Sequence, residues 1–319
     1  MTKKTAASVS DEIRKGITNK IIESLKENRI PWRKTWSDDP NCGRPTNIAS
    51  KKLYSGINPL ILELAALEKQ YTSRYWGTYK QFDQLGGKVR RGEKSTHVVF
   101  YKVLEVEDTK KDGEKTKKKI FFLRNYSVFN VDQVEGEKLN KYRVKEEPTD
   151  RPIDITDHLL DYSTAEKLIA STGAKISYGG NRAFYMRPTP KGSWPKHTAG
   201  DYIQIPKKSQ FVDAAEFYAT NFHELAHWSE VRLDWEDKYE MGELVAEITA
   251  CNLSAETKVP NRNMENHNRY LQGWLSKMQN DPKWIFHAST QASKVTDYLL
   301  GYMTGAQQAE NYEQEQEAA

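Results

Sequence analysis

The sequence predicts an α+β protein of two domains, residues 1–150 and 151–319, and three observations predict it. The charge is split, since residues 1–150 carry 31 Lys+Arg against 21 Asp+Glu, a net of +10, whereas residues 151–319 carry 17 against 23, a net of −6. Segments with the 3.6-residue period of a helix are interspersed with segments such as HVVFYKVLEVE (97–107), whose β-branched and aromatic residues suit a strand. The run from Phe211 to Glu230, FVDAAEFYATNFHELAHWSE, reads as one long helix with no Gly or Pro in it.

At 319 residues the chain has room for two large cores. Cys42 and Cys251 lie far from any metal-ligand spacing, which predicts a reduced, cytoplasmic setting. No apolar run reaches membrane-spanning length, and the polar start MTKKTAASVSDE does not read as a signal peptide, so no membrane partner is expected. A basic first half calls for a polyanion, while the acidic second half is free to do chemistry on something else.

On a helical wheel Phe211, Ala214, Ala215, Tyr218, Phe222 and Leu225 share one apolar stripe, and His223 and His227 fall together nearly opposite it. His223, Glu224 and His227 spell H-E-x-x-H. Histidines four apart on a helix aim two imidazole nitrogens at one point, where Zn2+ can sit, and Glu224 is placed to act as general base on a metal-activated water. A chance match to this motif arises in about one chain in a hundred of this length. A second helical pattern, EMGELVAEITACNLSAE, sets Leu244, Ile248, Cys251 and Ala255 on one stripe, flanked by Glu243 and Glu247 one turn apart. Glu243 is the expected third ligand, and Glu247 the carboxylate that accepts the N–H of a ligand histidine from behind. The competing reading is a solvated acidic face. Tyr185 and His267 are candidates to stabilise an oxyanion, weighed against structural roles for both.

In the first half, Val9 to Asn28 predicts a helix with Ile13, Ile17, Ile21 and Leu25 at helical spacing and Ser10 or Asp11 as its cap. In RIPWRKTW, Trp32 and Trp36 stand among Arg29, Arg33 and Lys34. Rings among cations suit a single-stranded nucleic acid, whose bases stack while its phosphates meet Arg and Lys, although such rings can equally anchor a loop in a core. ILELAALEK (61–69) reads as a helix entered past Tyr54, Gly56 and Asn58. Arg74, Tyr75, Trp76, Tyr79 and Lys80 precede a helix ending at Gly86–Gly87, and KVRRGEKS reads as a basic hairpin carrying Arg90, Arg91 and Lys94. IFFLRNYSVFNV (120–131) could return alongside HVVFYKV, with the charged stretch 108–119 as an exposed hairpin loop. The candidate DNA-contact set is Trp32, Trp36, Tyr54, Arg74, Trp76, Tyr79, Lys80, Arg90, Arg91 and Lys94.

The domain boundary is expected near 145–155. Asp157 to Ser171 then reads as a helix, AKISYG and RAFYMR as short strands, DYIQIP (201–206) as the strand edging a substrate cleft, and residues 267–302 as two helices. The acidic tail after Gly305 is expected to be disordered.

Taken together, WRKTW, NIASKKLYSGIN, RYWGTYKQFDQLGGKVRRGEKSTHVVFYK and YSVFNVDQVEG resemble the N-terminal ssDNA-binding domain of ArdC-type antirestriction proteins. GGNRAFYM, DYIQIP, FYATNFHELAHW, GELVAEI and YLQGWLSKMQNDPKWIFHAS resemble that family's zincin-like metallopeptidase domain. The resemblance implies a plasmid or phage protein that binds single-stranded DNA and helps incoming DNA survive restriction. It also implies a metal at His223, His227 and Glu243, with Glu224 catalytic. The expected activity is zinc-dependent cleavage of DNA-associated proteins or peptides. The alternative is a DNA-masking protein whose zinc domain is structural. A metal-dependent nuclease fits less well, since nucleases favour carboxylate-rich sites for hard cations.

Overall fold

The computed structural model describes residues 6–27, 29–32, 39–109, 115–145, 160–188, 200–235, 237–260 and 267–305. These fall into two compact units, one within Met1–Pro31, Pro45–Arg143 and Leu275–Ile285, the other within Trp32–Arg44, Val144–Trp274 and Phe286–Ala319.

The first unit comprises α1 (Ala6–Lys26), β1 (Thr46–Asn47), α2 (Asn58–Lys69), β2 (Tyr75–Gly77), α3 (Tyr79–Gln84), β3 (Lys88–Val89), β4 (Thr96–Thr109), β5 (Lys115–Asn130) and β6 (Val134–Glu135). Helix α1 starts earlier than its expected cap. Ser10 lies inside it, and its hydroxyl accepts the Leu123 N–H of β5 at 3.1 Å. Helix α2 starts at Asn58, with Pro59 in its first turn, where a missing N–H costs nothing. The Asn58 side chain both donates to the Val99 carbonyl and accepts the Val99 N–H, each at 2.8 Å, which ties the helix start to β4. Thr78 and Gln81 form a capping box at the head of α3. The chain leaves α3 through Gly86 at φ +79, and a Cβ on Gly87 would lie 2.4 Å from Leu139 Cδ1.

Two sheets form here, one of four strands in the order β1-β2-β5-β4 and one of β3 with β6. The expected basic hairpin is therefore corrected: Lys88 pairs with Glu135 and Val89 with Val134, so Arg90, Arg91 and Lys94 occupy a connection between two sheets. Strands β4 and β5 pair antiparallel from Thr96↔Val128 out to Thr109↔Lys115. Most of 108–119, expected as loop, is thus ladder, and residues 110–114 lie outside the described residues. Tyr54, Leu62, Ala66, Trp76, Val98 and Val128 make one core cluster, and Ile48, Phe82, Val131, Val134 and Leu139 another.

The second unit contains α4 (Ser163–Ser171), β7 (Ile176–Tyr178), β8 (Phe184–Met186), β9 (Tyr202–Ile205), α5 (Ala214–Arg232) and α6 (Tyr239–Thr257). Beyond them come α7 (His267–Asn280) and α8 (Trp284–Thr304). Helix α4 begins at Ser163; Leu160 to Tyr162 are not helical, and residues 157–159 lie outside the described residues, as does the tail from 306 on. The sheet order is β7-β9-β8, with β9 parallel to β7 and antiparallel to β8. Tyr202–Ile205 is therefore the central strand and not the cleft edge, its two sides being taken by neighbours and Ile203 and Ile205 buried. Helix α5 begins at Ala214 rather than Phe211, because the Asp213 carboxylate caps it by accepting the Glu216 N–H at 2.8 Å. Phe211 packs its ring on Phe217 from outside the helix, at 5.6 Å between centroids. Leu244, Ile248, Cys251 and Ala255 of α6 are buried, as their spacing predicts. Trp32, also buried, meets Trp274 edge to face at 6.2 Å.

Trp76 is a core ring in this architecture. Trp76→Ala should cost about 3–5 kcal/mol in urea unfolding, whereas Tyr79→Ala on the exposed start of α3 should change stability by about 0.5 kcal/mol or less.

Candidate metal centre and nucleic-acid residues

One turn of α5 separates His223 from His227, and their Nε2 atoms lie 3.2 Å apart. Helix α6 brings Glu243 to them, Oε2 at 3.5 Å from His223 Nε2 and Oε1 at 3.7 Å from His227 Nε2. Among the described residues this is the one group of three or more His, Cys, Asp or Glu able to hold a metal ion, with its ligand atoms within 4.8 Å of one another. Ligands about 2.0–2.2 Å from a tetrahedral zinc stand about 3.3–3.6 Å from each other. The two nitrogens and one carboxylate therefore fit such an ion in both donor type and spacing.

The charges at the site are mutually adjusted. Burial disfavours the His223 imidazolium, but the hydrogen bond to Glu243 and the negative field of Glu224, Glu243 and Glu247 outweigh it, and the pKa rises to about 8. Burial pushes the Glu243 carboxyl up, while His223, His227 and a hydrogen bond from Tyr239 more than offset this and leave it below the usual range. Buried Glu224 is raised, chiefly by desolvation, in spite of the two histidines and the Tyr185 backbone N–H its carboxylate accepts. That direction suits a group that must take and return a proton near neutrality.

A second layer supports these groups. His227 Nδ1 lies 2.8 Å from Glu230 Oε1, and Glu230 in turn pairs with Arg187. The Tyr185 hydroxyl donates to Asp201 Oδ1 at 3.0 Å, and Arg232 holds Asp201 Oδ2 at 2.8 Å. Burial, with Asp201 beside it, pushes Tyr185 up to about 12, so it remains a neutral donor. The Tyr239 and Tyr270 hydroxyls are 2.9 Å apart, next to Glu243. Glu247 is buried one turn beyond Glu243, with Cys251 Sγ at 3.7 Å from its Oε1. His267 opens α7, and its side chain lies outside the described residues. Sequence reasoning misses Glu230, although its position three residues after His227 on the helix is a usable signal. Arg187 and Tyr239 reach the site only through tertiary packing, and no local pattern marks them.

The nucleic-acid candidates separate sharply by exposure. Trp32, Tyr54 and Trp76 are buried, Trp76 to 1 % exposure, so none offers a ring face to a base; as stacking residues they are corrected. Arg74 is half-buried and donates from Nε to Thr46 Oγ1 at 3.0 Å. Tyr79, Lys80, Arg90, Arg91 and Lys94 are exposed, with Arg90 donating to Glu93 Oε1 at 2.8 Å and to the Asp132 carbonyl at 2.7 Å. Trp36 lies outside the described residues.

A helix bearing H-E-x-x-H, a carboxylate from the next helix and a small mixed sheet beside them define a zincin-like metallopeptidase domain. A family profile of that description, zincin-like metallopeptidase, matches residues 163–291, and one for the N-terminal domain of anti-restriction factor ArdC matches residues 11–129. The crystal structure of the metal-free antirestriction protein ArdC from plasmid R388 superposes with a TM-score of 0.70 at 33% identity, covering 92% of this chain and 98% of that one. Its Mn(II)-bound form gives 0.66 at 33% identity, covering 91% and 97%. The uncharacterized protein y4eC of Sinorhizobium fredii is 29% identical over 325 residues, 97% of this chain and 98% of that protein. DNA primase TraC of Escherichia coli is 31% identical over 310 residues, which are 90% of this chain but 20% of the primase, so the chain spans about a fifth of that relative. The chain belongs to the ArdC antirestriction family. Among its described residues no helix is long and apolar enough to cross a membrane.

In the metal-free protein His223 should titrate near pH 8 by NMR. Because this folded value lies above the unfolded one, about 6.5, the stabilisation from this group should be complete below that pH and lost as the pH rises through about 8. Urea unfolding across that window checks it, with His223→Gln expected to flatten the decline.

Proposed function

We propose that this protein binds single-stranded DNA through its first unit and, at a Zn2+ centre in its second, hydrolyses peptide bonds in DNA-associated proteins, protecting incoming plasmid or phage DNA from restriction in the host cytoplasm. The observation that carries this reading is the convergence of His223, His227 and Glu243 beside a buried, proton-accepting Glu224. Two nitrogens and one oxygen form the donor set of zinc peptidases. Zinc should also bind more tightly than manganese, as nitrogen-rich sites do.

His223, His227 and Glu243 would hold the ion, which when bound polarises a scissile carbonyl and acidifies water. Glu224 takes the proton of the attacking water and passes it to the leaving amine. The Tyr185 N–H keeps the Glu224 carboxylate aimed while its raised pKa keeps the returning proton available. Glu230, braced by Arg187, fixes the His227 ring and its tautomer. Of the two outer strands, β7 and β8, it is β8 whose Tyr185 N–H reaches Glu224, and β8 therefore replaces β9 as the edge along which an extended substrate would lie. In the first unit the exposed cations Lys80, Arg90, Arg91 and Lys94 follow the phosphate backbone.

Glu224→Gln should reduce cleavage of ssDNA-bound proteins by about 10²–10⁴-fold while leaving zinc bound. Retained protection of incoming DNA in that variant would favour masking of the DNA over proteolysis. Glu230→Ala should weaken zinc about 10–100-fold in a chelator competition; an unchanged affinity would remove Glu230 from the centre.

A further inference from the structure

The long β4–β5 ladder carries an aromatic pair that the core does not use. Strand alternation puts Val98, Phe100, Arg124 and Tyr126 on one face, since Phe100 pairs with Arg124 and Val98 with Tyr126. On that face Val98 is buried, while Tyr126 opposite it is 41 % exposed and Phe100, two residues on, 46 %. The two rings meet edge to face at 5.4 Å between centroids, and the Arg124 guanidinium stands 5.7 Å from the Tyr126 ring. Exposed rings in contact with each other and with an arginine fill no core and leave aromatic and cationic surface open to a ligand. Tyr79, also exposed, belongs to α3 rather than to the ladder.

We infer that Phe100, Tyr126 and Arg124 form the base-stacking site of the first unit, and that its occupant is single-stranded DNA. The inference rests on the DNA-binding reading above and relocates its stacking residues from the tryptophans to this hairpin. Charge argues for the occupant. The surrounding half of the chain carries a net +10, and β5 itself bears Lys115, Lys117, Lys118 and Lys119 before Arg124. A base lies against the Phe100 ring or the free face of Tyr126, and Arg124 reaches the adjoining phosphate. Duplex DNA cannot offer those faces, because its bases are stacked on one another.

The test is fluorescence anisotropy of the full-length protein with a labelled oligothymidylate over a range of salt. The double variant Phe100→Ala/Tyr126→Ala should bind at least about tenfold more weakly with an unchanged salt slope, since stacking releases no counterions. Arg124→Ala should flatten the slope by about 0.7, and Phe100→Trp/Tyr126→Trp, which keeps both rings, should bind like the wild type. Thermal melting of each variant checks that it is folded. A ring-free variant that binds like the wild type overturns the inference and assigns the rings to a protein partner. A wild-type protein with no salt-dependent binding at all overturns the DNA-binding reading itself.

Discussion

A carboxylate set against two imidazoles is the interaction on which the second unit depends. Two His side chains one helical turn apart with their Nε2 atoms 3.2 Å from each other would repel if both were protonated. Glu243 sits against both, and its charge makes the arrangement tolerable without an ion. The donors are thereby ordered by folding. A cation entering the site does not have to pay again for fixing three side chains, which is what separates a preorganised centre from three residues that merely could reach each other.

That order has its own supports. Helix α5 is buried on most of its circumference, so its polar residues must find partners inside the protein. They do so locally: Asn221 donates to the Phe217 carbonyl at 2.8 Å, and Ser229 donates to that of Ala226 at 2.7 Å. At the end of the helix Arg232 donates to the Trp228 carbonyl, lies 3.4 Å from the Trp228 ring and reaches Asp201. Asp201 accepts from Tyr185, whose backbone N–H meets Glu224. Glu224 is therefore tied to the far end of its own helix through β8, and a disturbance at either end should reach the other.

How much of this is legible in the sequence depends on the kind of signal. The spacing of His223, Glu224 and His227 is periodic within α5, and periodicity survives folding, so the motif alone brings these three together, whereas Glu243 joins them only because α6 packs against α5, which spacing does not show. Asp213 as a cap and Glu230 as a histidine partner are equally local, but a capping carboxylate and a helix-face glutamate are too common to stand out. The first unit is harder to read. Aromatic residues among cations look the same in sequence whether a ring faces a base or a core. Trp32 and Trp76, the most conspicuous rings, are buried because a large apolar surface gains most from burial. Phe100 sits inside a strand pattern that gives no hint of which face is covered. The order of the strands is also beyond local reading, since the central place of β9 follows from β7 crossing to pair parallel with it.

On the proposed reading, a short outer strand of a three-stranded sheet would give a peptide substrate few main-chain contacts, and so little with which to discriminate sequences. On that reading little is needed. A peptidase attached to a DNA-binding unit meets proteins on the same strand at an effective concentration that can reach the millimolar range for short flexible connections. Selectivity then comes from location rather than from side-chain pockets. Location is in turn controlled by salt-sensitive phosphate contacts and salt-insensitive stacking. On the same reading, splitting the charge of the chain, positive in the first half and negative in the second, serves this division of labour, because an acidic second unit would not compete with a basic first one for the strand.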